Sequence, residues 1–162
     1  MQNAKDSFYM ALRSRLAAVN PARTILLRGA TRPGMLVADA EAPSAQIPCD
    51  VFVLRWMGLA VDMDLASTMA GADCEISYST SGTQAFGGLD RGRMLSTMDT
   101  EILAILQPFQ TGKMNYAVQP ASAMQTQVFW DEPSFNPIDV QRDRLSRSAR
   151  VMVYSYQEQG ES

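Results

Sequence analysis

From Cys74 to Thr80 the chain reads Cys-Glu-Ile-Ser-Tyr-Ser-Thr, a strict alternation. Cys74, Ile76 and Tyr78 point one way and Glu75, Ser77 and Ser79 the other, the pattern of a strand with one buried and one wet face. A second segment, Asp50 to Trp56, sorts Phe52, Leu54 and Trp56 onto one side and Val51, Val53 and Arg55 onto the other. The first of these sides is large and apolar, so it should face the core. A sheet is therefore fixed, and the rest of the chain must supply something to cover its apolar face.

Two helical patterns meet that need. Over residues 3 to 19, Phe8, Ala11, Leu12, Leu16 and Val19 recur at spacings of three and four, and Asn20-Pro21 ends the pattern. Over residues 91 to 107, Leu95, Met98, Ile102, Ile105 and Leu106 form a stripe that Met94 also fits as a core residue, with Asp90 as the expected N-cap and Pro108 as the stop. Further strands are expected at Thr24–Arg28, Met35–Ala38, Asn115–Gln119 (weak), Thr126–Trp130 and Ser148–Tyr156, with turn chemistry at Arg32-Pro33-Gly34. Residues 40 to 48 read as a loop and 57 to 72 as an extended connection. Ser81 to Gly88 reads as a flexible loop, and Asp131 to Leu145 as an exposed loop or arm.

Few of these connections can act as parallel crossovers. The expected fold class is α+β: a mostly antiparallel or mixed sheet with two main helices packed on one face. The chain has 162 residues, enough for one core. A single domain is expected over residues 1 to 157, with a disordered tail from 158 to 162.

Composition narrows function. The chain contains no histidine. That removes the Ser-His-Asp and Cys-His arrangements, the usual general base and the commonest zinc ligand. No catalytic residue, cofactor or metal site is expected. Asp62-Met-Asp64 and Asp131-Glu132 are the only paired carboxylates considered for metal or acid–base work, and neither has EF-hand spacing. A small-molecule-binding or enzymatic domain using carboxylates alone is the alternative they leave open. The segment from Ser81 to Arg93 lies between a strand and a helix but has neither phosphate-loop spacing, so a contact loop is the preferred reading.

The net charge is −3 and no Lys/Arg-rich block occurs, which argues against a sequence-specific nucleic-acid partner. Arginines concentrate near both ends (Arg13, Arg15, Arg23, Arg28, Arg32; Arg142, Arg144, Arg147, Arg150) and read as solvated faces and interface ion pairs. No apolar run is long enough to span a bilayer, and no signal core follows the N-terminus. Synthesis in the cytoplasm and no membrane partner are expected. Cys49 and Cys74 read as two reduced thiols, a single disulfide remaining open. The 11 methionines suit either an adaptable contact surface or plain packing. Trp130 and Phe135 flank the proline-containing arm, either as anchors for a partner pocket or as side chains that tuck the arm down.

The order of these elements resembles a known family. The N-terminal helix from Phe8 to Val19, the strand Asp50–Trp56, Cys74-Glu-Ile-Ser-Tyr-Ser-Thr-Ser-Gly82, the loop into Asp90-Arg-Gly-Arg-Met-Leu-Ser-Thr-Met-Asp-Thr-Glu-Ile-Leu-Ala-Ile-Leu106 and the final strand pair together look like the tail terminator proteins of long-tailed phages and related contractile particles. The resemblance implies a homo-oligomeric ring, a hexamer, that caps the tail tube, stops its polymerisation and meets the head connector or neck protein. It implies incorporation into a virion tail or phage-like particle, and it carries no catalytic residues. Another head–tail or sheath-end completion protein is the neighbouring alternative. The expected contact residues are Phe86, Leu89, Arg91 and Arg93 in the loop before the second helix, and Trp130 and Phe135 beside the arm.

Overall fold

The structure is a computed structural model and describes residues 1–41, 48–62, 68–158 and 161. Helix α1 spans Gln2–Val19 and α2 spans Arg91–Ile105. The strands are β1 (Thr24–Leu27), β2 (Ala30–Pro33), β3 (Met35–Val37), β4 (Phe52–Asp62), β5 (Met69–Thr80), β6 (Gln110–Asn115), β7 (Ser122–Trp130), β8 (Ser134–Phe135), β9 (Asp139–Val140) and β10 (Leu145–Tyr156).

β1 and β2 form a hairpin; among the described residues the other strands make one mixed sheet ordered β3-β4-β5-β10-β7-β6, with β8 and β9 also on β10. β10 is the organising strand. One edge pairs with β5 over its whole length, from Leu145↔Thr80 to Tyr156↔Met69. The other edge is shared in turn by β9, β8 and β7. Among the described residues only the β3–β4 pair is parallel.

Both helices pack on the same face of this sheet, as the α+β reading requires. Phe52, Leu54, Cys74, Ile76, Tyr78, Ala149, Val151 and Val153 meet Ala4, Phe8, Leu12 and Leu16 of α1 and Leu95, Met98, Ile102 and Ile105 of α2 in one buried cluster. The α1 stripe is a strict i, i+4 series from Ala4 to Leu16, and Val19 falls outside it at 46% exposure. Met94 is only half-buried. On the other face a smaller cluster of Leu36, Val51 and Val53 is covered by Ile25, Leu27 and Ala38.

In four of its connections the structure departs from the sequence reading. Arg32-Pro33 is not a turn but the end of β2. The turn lies at Arg28-Gly29, both at positive φ (50° and 79°), the backbone a two-residue hairpin needs. The stretch after Trp56 is not a connection: β4 runs on to Asp62 and pairs with β5 down to Asp62↔Met69. A bulge between Trp56 and Gly58 adds one residue, so the inward parity moves from Trp56 to Leu59 and the alternation is hidden. Residues 63 to 67 lie outside the described set. β6 ends at Asn115 rather than beginning there. The Asp131–Leu145 segment is not a free arm, because β8 and β9 pair with β10 inside it.

Two residues of the C-terminal segment, Glu158 and Glu161, are described. Thr126 donates its N–H and its hydroxyl to the Glu158 carboxylate, each at 2.7 Å. The Glu161 carboxylate accepts from Lys113, whose ammonium is almost fully buried, and from the Met1 amino group. Burial is the largest single influence and pushes the Glu161 carboxyl up; the Lys113 hydrogen bond, the Glu158 backbone N–H and the charges of Lys113 and the N-terminus together outweigh it and hold the group below its usual range. Residues 158 and 161 are thus tied to the domain by charge-assisted hydrogen bonds.

Cys49 is half-buried and Cys74 buried, both as free thiols. Burial pushes the Cys74 thiol far up, which removes its nucleophilic form. A native protein treated with a thiol-exchange chromophore at neutral pH should label at Cys49 alone, and denaturant should release the second thiol. Rapid native labelling of both would show that the sheet face over Cys74 opens readily.

Candidate assembly surfaces

The loop before α2 is built to hold its shape. A turn of 3-10 helix, Gln84–Phe86, leads into Gly87 and Gly88, both at positive φ. The Asp90 carboxylate accepts from the Thr83 N–H at 2.8 Å and the Thr83 hydroxyl at 2.7 Å. These bonds hold Asp90 below the usual carboxylate range. Asp90 therefore closes the loop; its side chain makes no capping bond to α2, although the sequence reading assigned it that role. Gly88 donates to the Thr83 carbonyl, and Arg91 Nε donates to the Gly88 carbonyl at 3.0 Å. A Cβ on Gly82 would sit 2.6 Å from Asp90 Oδ1, so the brace requires glycine there.

This loop displays two large apolar side chains: Phe86 is 60% exposed and Leu89 93%. Arg93 is exposed and Arg91 partly so. Arg91 also donates to the Arg142 carbonyl, joining the loop to the segment after β9. Val140, 74% exposed, lines the same shallow cleft as Leu89. The four loop residues expected to make contacts thus stand together at the surface.

The other two expected contacts do not. Trp130 is 4% exposed and belongs to the main core. Its indole N–H donates to the Leu106 carbonyl at 2.8 Å, and its ring meets Phe8 edge-on with centroids 4.9 Å apart. Phe135 is partly buried against the same core, with the Arg147 guanidinium 6.0 Å from its ring centre. Both tuck the arm onto the domain. Trp130 turns inward because it continues the alternation of β7 set by Val128, which is also buried.

The sequence reading missed a second surface at the opposite end of the sheet. There β4 exposes Met57, Leu59 and Val61 at 52%, 57% and 48%. On the face away from the helices, Ala60, Val61, Asp62, Met69, Gly71, Met152 and Tyr154 line a concavity. Ala60 and Gly71 make its floor. A Cβ on Gly71 would lie 3.2 Å from the Tyr154 ring, so glycine keeps that floor low. Tyr154 is fixed as a wall by stacking on Phe129 (5.6 Å, 20°) and by donating its hydroxyl to Asp131 at 2.9 Å.

Among the described residues no strand pairs with Arg55–Val61 on the side away from β5. The sheet's other borders are guarded. Ser7 of α1 accepts the Met114 N–H of β6 at 2.9 Å, and Arg15 donates to the Gln110 carbonyl. The arm along β10 carries Pro133 and Pro137. Proline and a covering helix are ordinary ways of blunting an edge; among the described residues the β4 run has its bulge and the exposed charge of Arg55 at its start.

The described carboxylates of the two candidate pairs lie on different segments. Asp62 ends β4, Asp64 lies outside the described residues, and Asp131 is engaged by Tyr154. Among the described residues no group of three or more His, Cys, Asp or Glu could hold a metal ion, and no helix is long and apolar enough to cross a membrane.

No protein-family model matches the chain. No curated protein matches it. Among solved structures it is similar to a chain of the "Virion of native gene transfer agent (GTA) particle", with 13% sequence identity over 94% of this chain and 94% of that one, at a TM-score of 0.40.

Proposed function

We propose that the chain is a non-catalytic structural subunit of a phage-type tail. In this reading it assembles as a ring of six copies that caps the tail tube, stops its polymerisation and presents a surface to the head connector. The single observation that carries the proposal is where the exposed apolar side chains lie. Six of them fall in two groups at opposite ends of one sheet, Phe86, Leu89 and Val140 at one and Met57, Leu59 and Val61 at the other, while others, Leu26 and Leu103 among them, lie outside both groups; neither group surrounds a cleft that could enclose a substrate. Surfaces of this kind mark contact with other proteins. Two unlike patches on one subunit are what a closed ring needs, and six-fold repetition multiplies weak contacts on a six-fold tube. A virion is the setting we assign to it.

The test is growth of tail tubes from purified tube protein with and without this chain, viewed by negative-stain microscopy. The expected result is tubes of arrested length with ring density at one end. Tubes that grow unchecked with bare ends, at concentrations where the chain is folded, would remove the reading.

A further inference from the structure

We infer that the braced Phe86–Leu89 knob of one copy docks in the Ala60–Gly71–Tyr154 concavity of a second copy of this chain, so that copies join head to tail. The inference rests on the reading of the chain as a self-assembling subunit and supplies the contact that reading leaves open.

The two surfaces match in shape. The knob is held from within by the Thr83–Asp90 bonds and by Gly82 and Gly88, so Leu89 is presented at little further loss of freedom on binding. The concavity has small residues at its floor and the fixed Tyr154 ring and Met152 as walls. It can take a branched aliphatic side chain, and Met152 and Met69 can adapt around it.

The two surfaces also match in charge. Arg91 and Arg93 flank the knob, with Arg142 joined to it through its carbonyl. Asp62 lines the concavity and Asp131 holds its Tyr154 wall. A basic rim meeting an acidic one favours this pairing over knob on knob or groove on groove, where like charges would face each other.

The surfaces cannot meet within one molecule. Along β5 they are separated by a 12-residue strand, about 36 Å at ~3.3 Å per residue. The contact must therefore be heterologous, and repeating it makes either a ring or an open chain.

The test uses Leu89→Cys and Ala60→Cys, singly and together, in a Cys49→Ser background, treated with a short bismaleimide. Leu89 and Ala60 are both exposed, and Cys74 stays buried. The doubly substituted chain should give a ladder of cross-linked trimers and larger species, and each single variant should stay monomeric. An equimolar mixture of the two single variants should stop at the dimer. Absence of a ladder, or a single variant that cross-links to itself as readily as the double, overturns the inference. A second variant, Leu89→Asp, should lower the association constant roughly a hundredfold, the scale of a lost hot spot. If Leu89→Asp still forms rings on tube ends, the docking contact is wrong and the tail reading stands. If the ladder forms but wild-type chains ignore tube ends, the contact stands and the tail reading falls.

Discussion

Glu101→Ala should destabilise the protein by about 3–5 kcal/mol, the scale seen when one partner of a buried ion pair is removed. Glu101 is 5% exposed and Arg23 7%. Arg23 donates through Nε and Nη2 to the two carboxylate oxygens, and Asn20 donates to one of them at 2.7 Å. Arg23 also donates to the Asp50 carbonyl at 2.8 Å and lies 5.5 Å from the Phe52 ring centre. One carboxylate thus joins the end of α1, the approach to β1, the entry to β4 and the middle of α2. Removing it leaves a guanidinium in the interior with neither water nor a counter-charge. Against a total stability of about 5–15 kcal/mol, the loss is large. Urea denaturation should show it as a midpoint lowered by roughly 2 M, for a slope of about 2 kcal/mol per molar. A shift below about 0.5 M would mean that water reaches Arg23 and that the pair is worth no more than a surface one.

Trp130→Ala should have an effect of the same order, about 3–5 kcal/mol, from lost burial and the cavity left beside Phe8. Trp130→Phe separates two contributions. It keeps most of the ring but leaves the Leu106 carbonyl without its donor, which costs about 1–3 kcal/mol where no water can replace it. Leu106 follows the last turn of α2, so the loss falls on a helix end whose carbonyls lack partners within the helix. Arg15 cannot make up the difference, because it is already engaged with the Ile105, Pro108 and Gln110 carbonyls. These substitutions also decide what Trp130 is for. A residue reserved for a partner would leave the melting curve of the isolated chain where it was, and finding that would reverse its assignment to the core.

How much of this was readable beforehand depended on the range over which each signal acts. Local period was reliable. The alternation from Cys74 to Thr80 and the stripe from Leu95 to Leu106 appear where they were expected, and together they dictate a sheet with helices on one face. Signals that required a partner strand were lost. The bulge after Trp56 shifts the inward positions by one, so Leu59 and Val61 no longer look like part of the strand that Phe52 begins. The Arg28-Gly29 turn was overshadowed by Arg32-Pro33-Gly34, the more familiar turn sequence. The binding of the tail to Lys113 joins residues 48 apart, a pairing no local window can show. Glu101 did leave a trace: three residues after Met98 and four before Ile105, it is a charge on the buried side of α2, and such a charge calls for a counter-ion elsewhere in the chain.

Of the six candidate contact residues, the structure places four at the surface and two against the core. The Phe86–Arg93 loop is a projecting apolar surface, as its glycines and lone aromatic suggested. For Trp130 and Phe135 the sequence left two readings open, because an aromatic beside a proline-containing stretch looks the same whether it reaches outward or pins that stretch down, and their burial favours the second. The groove at the far end could not have been read at all, since its floor and walls come from three strands brought side by side by the register of β4, β5 and β10.

That register also orders events in time. A ribosome releases β4 and β5, and later β6 and β7, as two separate strand pairs, and the strand that belongs between them is synthesised after both. Until residues 145 to 156 emerge, each pair waits with an open flank, and the closing step must bring together segments made far apart, which is slow. Tyr154, one wall of the groove, arrives with that same strand. A growing chain therefore cannot display a finished groove, and the docking inferred above would wait until the sheet is whole.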